Sequence, residues 1–289
     1  MNRCMLVALL ATSFQCGAIH AAQISEFLDV SRPGLPGRLF VPDGAADSDP
    51  LPIILFMHGA GEQGNDNTQQ IGRNIDELLA LAKDRRAYIY APQSDSEGQG
   101  IHNWNDITRT TAVKDTLDSI LASENIDPTR IYLTGISMGG GGAWNMSDRY
   151  PGFFAAVAPM AGVQPDSGFD PAHILDSPTW AFHARDDELI SHTISRTVTN
   201  GVLRVAGEPE LTYPANDDTT TTFDYRNDAI GFRYTEYPTG GHRIWREVYP
   251  IEEFGDWMFA QAVPEPTTAW WVLVLMLAFT SRRAVRRTR

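Results

Sequence analysis

The stretch Thr134-Gly135-Ile136-Ser137-Met138-Gly139-Gly140-Gly141-Gly142-Ala143-Trp144 directly follows the apolar run Ile131-Tyr132-Leu133. Gly135, Ser137 and Gly139 spell Gly-x-Ser-x-Gly, the pattern of a serine on a cramped turn between a strand and a helix, with glycines where a Cβ would clash. Such a turn lifts the serine hydroxyl out of a sheet and sets it at the positive end of the helix that follows. The strand signal before the motif and the span from Met138 to Arg149 behind it supply the context it requires. Two plainer readings compete: Ser137 as an ordinary turn residue, and the glycines after it as a flexible loop.

Working outward, the chain alternates between buried strands and amphipathic helices. Leu51-Pro52-Ile53-Ile54-Leu55-Phe56-Met57 is apolar throughout, which suits a strand covered on both faces. It runs into His58-Gly59-Ala60-Gly61-Glu62-Gln63-Gly64, then a helix is expected from Ile71 to Lys83 and a second buried strand over Ala87 to Pro92. Ala112 to Ala122 reads as a helix. After the serine turn come strands at Phe154 to Ala158, Thr179 to His183 and Phe232 to Tyr237, with helices at Ile190 to Val205 and Val248 to Ala260. Arg38 to Pro42 is an early strand. Ser94 to Thr108 and Glu208 to Tyr225 break the rhythm as polar insertions. Strand and helix taking turns at this spacing predict an α/β fold, a mostly parallel central sheet with helices on both faces.

In such a sheet the carboxyl ends of the strands share one edge, so residues distant in sequence meet there. The candidates at strand ends are the Gly59-Ala60 turn, Ser137, the acidic pair Asp186-Asp187, and His242 after Pro238-Thr239-Gly240-Gly241. An alcohol needs a base to become a nucleophile at neutral pH, and a neutral His242 can take the Ser137 proton and return it to a leaving group. An acid would orient that imidazole. The backbone N–H groups of Met138 and Ala60 are the natural donors for an oxyanion. Glu62 and Asp66 read as turn-stabilising residues, and His58 and His183 as supports behind the reacting groups. Trp104, in a polar loop near the active edge, reads either as an aromatic wall that stacks on a substrate ring or as a packing residue. A zinc site built from His58, His183 and His242 with an aspartate is disfavoured because no short ligand spacing occurs. No metal or cofactor is implied.

His58-Gly59-Ala60-Gly61-Glu62, Gly135-Ile136-Ser137-Met138-Gly139-Gly140, Trp144, Tyr150-Pro151, and Phe182-His183 resemble the secreted α/β-hydrolases grouped with polyhydroxybutyrate depolymerases, feruloyl and acetylxylan esterases, and "predicted peptidases". The resemblance covers most of Leu51 to Trp257 and implies an α/β-hydrolase fold. It also implies a serine hydrolase whose acid stands four residues after a histidine. His183 to Asp187 has that spacing, so Asp187 is the first choice and Asp186 the alternate. Ala184 replaces the family's usual glycine, and Ser191 its proline.

The two ends read differently from this body. Residues 1–22, with Arg3, an apolar run from Met5 to Ala11 and small residues at Ala21 and Ala22, read as a secretory signal peptide. Its removal takes away Cys4 and Cys16, the only cysteines, leaving neither disulfide nor thiol nucleophile. Residues 263–289 begin Val263-Pro264-Glu265-Pro266, continue with the apolar run from Ala269 to Phe279, and end in Arg282, Arg283, Arg286, Arg287 and Arg289. That order resembles the PEP-CTERM sorting signal, processed by an exosortase, and implies export to the surface or outer envelope of a Gram-negative bacterium. Its processing partners would be a signal peptidase and an exosortase-type enzyme. The apolar run is short of the roughly 20 residues of a stable span, so transient membrane contact is expected. Residues 23–262 are then one α/β-hydrolase domain.

The formal net charge of the whole chain is −13, and loss of Arg3 and the five tail arginines makes the body more negative still. A body so acidic excludes nucleic acid as a partner and disfavours polyanionic substrates. The leading expectation is a hydrolase of carboxylic esters, with short acyl or glycan-linked esters as substrates. Peptide-bond hydrolysis by the same machinery and a silent matrix-binding member are the alternatives. No nucleophile, base or oxyanion glycine is missing, which speaks against a silent member.

Overall fold

The computed structural model describes residues 24–95 and 100–264. The expected signal peptide, Ser96 to Gln99, and the tail from Glu265 onward lie outside them. Among the described residues nine strands pair into one sheet. They are β1 (Phe27–Asp29), β2 (Gly37–Phe40), β3 (Leu51–Met57), β4 (Tyr88–Pro92), β5 (Ile126–Ile136), β6 (Ala156–Met160), β7 (Thr179–Ala184), β8 (Phe223–Asn227) and β9 (Phe232–Tyr237). Their spatial order is β1-β2-β4-β3-β5-β6-β7-β9-β8. The six strands from β4 to β9 in that order run parallel, and antiparallel pairing occurs only at the margins, where β2 meets β1 and β4, and β8 meets β9.

The helices are α1 (Gln69–Gly72), α2 (Asp76–Arg85), α3 (Ile107–Ser123), α4 (Met138–Arg149), α5 (Thr193–Val205), α6 (Trp245–Val248) and α7 (Glu252–Phe259). Every residue of β3 is buried, and the period of two sorts its side chains to opposite faces. Ile54 and Phe56, with Ile89 and Tyr132, pack against Leu78 of α2, Val248 of α6 and Phe254 of α7. Ile53, Leu55 and Met57, with Ile131 and Leu133, pack against Val113 and Leu117 of α3 and Met146 of α4. Both faces are therefore covered, which is why the strands read as continuous apolar runs instead of alternating ones. Trp144, Val198, Val202 and Tyr234 form a third cluster beneath α5.

The structure moves some of the expected bounds and removes one of the competing readings. The strand after the serine turn starts at Ala156, two residues later than its apolar run suggested, because Phe153 and Phe154 stack edge to face and are spent on the turn that follows Tyr150. The interruption ending at Tyr225 contains the start of β8, an edge strand that forms a hairpin with β9. Gly139 to Gly142 are no flexible loop: they form the first turn of α4, packed so closely that a Cβ on Gly139 would lie 1.9 Å from the Met57 carbonyl oxygen.

Candidate active site

The parallel order places the ends of β3, β5, β7 and β9 along one edge, and each delivers one part of the site. From β5 the chain turns sharply into α4 at Ser137, whose φ of 55° and ψ of −118° lie far from the ordinary regions for a side-chain-bearing residue. Backbone bonds hold this conformation: the Ser137 N–H donates to the Met160 carbonyl at 2.9 Å, and its own carbonyl accepts from Gly140 at 2.9 Å and Val163 at 3.2 Å. A Cβ on Gly135 would lie 2.0 Å from the Gly139 carbonyl oxygen, so the flanking glycines are a condition of the turn.

From the end of β9, His242 reaches across the edge. Its Nε2 is 2.9 Å from Ser137 Oγ and its Nδ1 is 2.7 Å from Asp187 Oδ2. Asp187 follows β7, and its other oxygen accepts the N–H groups of Leu189 and Ile190 at 2.9 Å each. His183 Nε2 adds a contact at 3.2 Å. Burial pushes the Asp187 carboxyl up, but hydrogen bonds from His183, His242 and the Ile190 N–H outweigh it and hold the group well below the usual carboxylate range. Asp186 points elsewhere: its Oδ1 accepts the Gly241 N–H at 2.7 Å, pinning the loop that carries His242. Of the acidic pair, the structure brings Asp187 to the imidazole and Asp186 to the backbone beside it.

Met138 opens α4, and Ala60 opens the single 3₁₀ turn Ala60–Glu62 that follows β3. The first N–H groups of a helical turn have no partner inside it, so the Met138 and Ala60 N–H groups stand at the turn starts without an intrahelical acceptor. Ala60 shares a cavity of about 450 Å³ with Ser137 and His242. Glu62 is buried behind this turn, and its carboxylate accepts from Asn74 Nδ2 at 2.8 Å and from the Gly59 N–H. Asp66 accepts from the Thr68 and Gln69 N–H groups and from Gln93, closing the same loop.

Trp104 does not face the cavity. It is 0% exposed, its Nε1 donates to the His58 carbonyl at 3.1 Å, and its Cβ sits 2.7 Å from where a Cβ on Gly142 would be. The aromatic-wall reading is therefore corrected to the packing one, because an indole with its one polar atom satisfied is fully used in holding α4 against the sheet. His58 is equally enclosed: its Nε2 accepts the Ser94 N–H at 3.0 Å, its Nδ1 contacts the Gly59 carbonyl at 2.6 Å, and burial lowers its pKa to about 4. His183 supports the acid, as its place in the sequence suggested. Sequence reasoning missed Arg73, Asn74, Arg243 and Trp245 in the cavity wall, which Leu189 and Ile190, two and three residues after Asp187, help to complete. Of these four, Arg243 carried a signal, its place next to His242. Among the described residues no cluster of metal-ligating side chains occurs.

Residues 35–185 match the family described as Esterase PHB depolymerase. A "Poly(3-hydroxyalkanoate) depolymerase C" of Paucimonas lemoignei is 30% identical over 159 residues, covering 50% of this chain and 36% of that protein. A bifunctional acetylxylan esterase/xylanase of Neocallimastix patriciarum is 24% identical over 203 residues, covering 70% of this chain and 28% of that one. The chain thus spans about a third of the length of these curated relatives. Among solved structures, a thermostable esterase superposes with a TM-score of 0.64 at 28% identity, covering 83% of this chain and 64% of the other.

Proposed function

This chain belongs to the Esterase PHB depolymerase family, and on that premise we propose that it hydrolyses carboxylic esters through an acyl-enzyme. The observation that carries the proposal is the continuous chain Ser137 Oγ, His242 Nε2, His242 Nδ1, Asp187 Oδ2, with links of 2.9 Å and 2.7 Å. In this reading Ser137 Oγ attacks the ester carbonyl carbon while His242 Nε2 accepts its proton. Asp187 keeps the other ring proton on Nδ1 and stabilises the imidazolium as it forms. The carbonyl oxygen becomes an oxyanion held by the Met138 and Ala60 N–H groups, each such donor contributing about 3 kcal/mol in the transition state. The C–O bond then breaks, and the alcohol leaves with the proton from His242. Water repeats the sequence on the acyl-enzyme, giving its proton to His242, and Ser137 recovers it as the acid departs.

The cavity lining supports small substrates. Ile136, Leu189, Ile190 and Trp245 supply apolar surface for a short acyl chain or a ring, and Trp245 packs edge-on to His242 with centroids 5.5 Å apart. Short acyl and glycan-linked esters are the proposed substrates. Initial rates on nitrophenyl esters of graded length, acetylated xylan, methyl ferulate and a chromogenic peptide test this. A higher kcat/KM for the peptide would replace ester with amide hydrolysis, and absence of turnover with any ester would remove the activity.

The proposed export, processing by a signal peptidase and an exosortase-type enzyme, and transient membrane contact rest on the composition of the two terminal segments. Among the described residues no helix is long and apolar enough to cross a membrane.

A further inference from the structure

The charge of the cavity runs against that of the chain. Acidic residues outnumber basic ones 36 to 23, yet Arg73 and Arg243 both line the cavity that holds Ser137 and His242. They arrive from separate elements, Arg73 at the end of α1 and Arg243 in the turn that carries His242. Neither forms an ion pair among the described residues. Arg109, Arg149, Arg185 and Arg196, by contrast, are each committed to a carboxylate.

The cavity lining itself sets two guanidinium groups, Arg73 and Arg243, against one carboxylate, Glu62. Glu62 is the carboxylate that both arginines act on through space, but it is buried and already engaged by Asn74 and the Gly59 N–H. Arg246 adds a third cation, with Nη2 3.2 Å from Asn74 Oδ1. Asp187 is spent on His242 and His183, and Asp186 on the Gly241 N–H. A guanidinium presents a planar fork that matches a carboxylate with two parallel hydrogen bonds. Two such forks, without ion-pair partners among the described residues, stand in the cavity that holds Ser137.

We propose that Arg73 and Arg243 make the cavity selective for esters that carry a free carboxylate remote from the scissile bond. The inference rests on the ester-hydrolase reading and narrows its substrate class. It also reconciles the cavity with the acidic body: that body repels polyanions at long range, while a single carboxylate is met at contact distance by two cations.

Two matched pairs of substrates test it. Nitrophenyl butyrate and mono-nitrophenyl glutarate place the charge on the acyl side, and methyl 3-acetoxypropionate and 3-acetoxypropionate place it on the alcohol side. The readout is the ratio of kcat/KM for the acidic member to that for the neutral one. In the Arg73→Gln/Arg243→Gln protein this ratio is expected to fall at least about tenfold in one pair. In the unaltered protein it should decline as salt rises to about 0.5 M, because the arginines are exposed and screened. Arg243→Lys, which keeps the charge and loses the fork, should fall between the two. A ratio unchanged by the double substitution in both pairs overturns the inference. Calorimetry on Ser137→Ala separates this failure from that of the ester reading. Monomethyl glutarate should bind more tightly than dimethyl glutarate, and the difference should vanish without the arginines. Equal binding of the two defeats the inference even if esters are cleaved, whereas arginine-dependent binding without turnover of any ester retains the anion site and removes the ester reading.

Discussion

Asp186 Oδ1 accepts the Gly241 N–H at 2.7 Å, one residue before the imidazole held by Asp187, so two adjacent carboxylates divide between a loop and the ring that the loop carries. Asp187→Asn should leave a folded protein whose kcat falls about 10³- to 10⁴-fold, because an amide no longer keeps the Nδ1 tautomer or stabilises the imidazolium. Asp186→Asn keeps an oxygen that can accept the Gly241 N–H and should cost less than about tenfold. Initial rates on one nitrophenyl ester, with circular dichroism as a check on folding, decide the order. A larger loss from Asp186→Asn would reassign the acid.

Ser137 adopts a conformation that glycine tolerates freely and serine only at a cost in backbone strain. Ser137→Gly should therefore abolish labelling by a fluorophosphonate while stabilising the protein by about 1 kcal/mol, strain relief exceeding the extra backbone entropy lost on folding. Thermal melts of the two proteins check this, and a lowered Tm would mean that the turn is not strained.

Trp104 should affect stability and leave substrate preference alone. Trp104→Phe keeps most of the ring but removes the donor to the His58 carbonyl, leaving a buried oxygen short of one hydrogen bond at a cost of about 1 to 3 kcal/mol. Urea unfolding measures the loss. A changed ranking among the esters of the substrate panel would instead return the indole to the binding site.

His58 sets a pH dependence of stability. Burial keeps it neutral in the folded protein down to about pH 4, while the unfolded chain protonates it near 6.5. A depressed folded-state pKa means that the unfolded state binds more protons between these values. The contribution of His58 is then fully present above pH 6.5 and shrinks as the pH falls toward 4, by about 3 kcal/mol in all. Urea unfolding at pH 7.5, 6.0 and 5.0 should show the decline, and a flat profile over that range would exclude a neutral buried His58.

Much of this protein was legible in local pattern. The apolar runs at Leu51 to Met57 and Ile131 to Leu133 announced strands covered on both faces, since a strand with one wet face must alternate. Gly135 and Gly139 around Ser137 announced the turn, because only glycine survives an approach of about 2 Å between a would-be Cβ and a carbonyl. The family resemblance, through the four-residue step from His183, singled out the member of the acidic pair whose carboxylate meets the His242 ring, although Ala184 and Ser191 depart from the family pattern.

The cavity wall was not legible in that way. Arg73 looks in sequence like any surface arginine, and Arg243 differs only in standing next to His242. Their meeting depends on how α1 and the loops after β7 and β9 converge on one sheet edge. Trp104 shows the reverse: its polar loop left a stacking wall and a packing residue equally open, and packing against Gly142 decided for the second. Strand, turn and the serine at its tip follow from periodicity and backbone sterics, which act over a few residues and are written locally. Which side chains share a pocket follows from long-range strand order and from competition for buried space, and no local stretch encodes either.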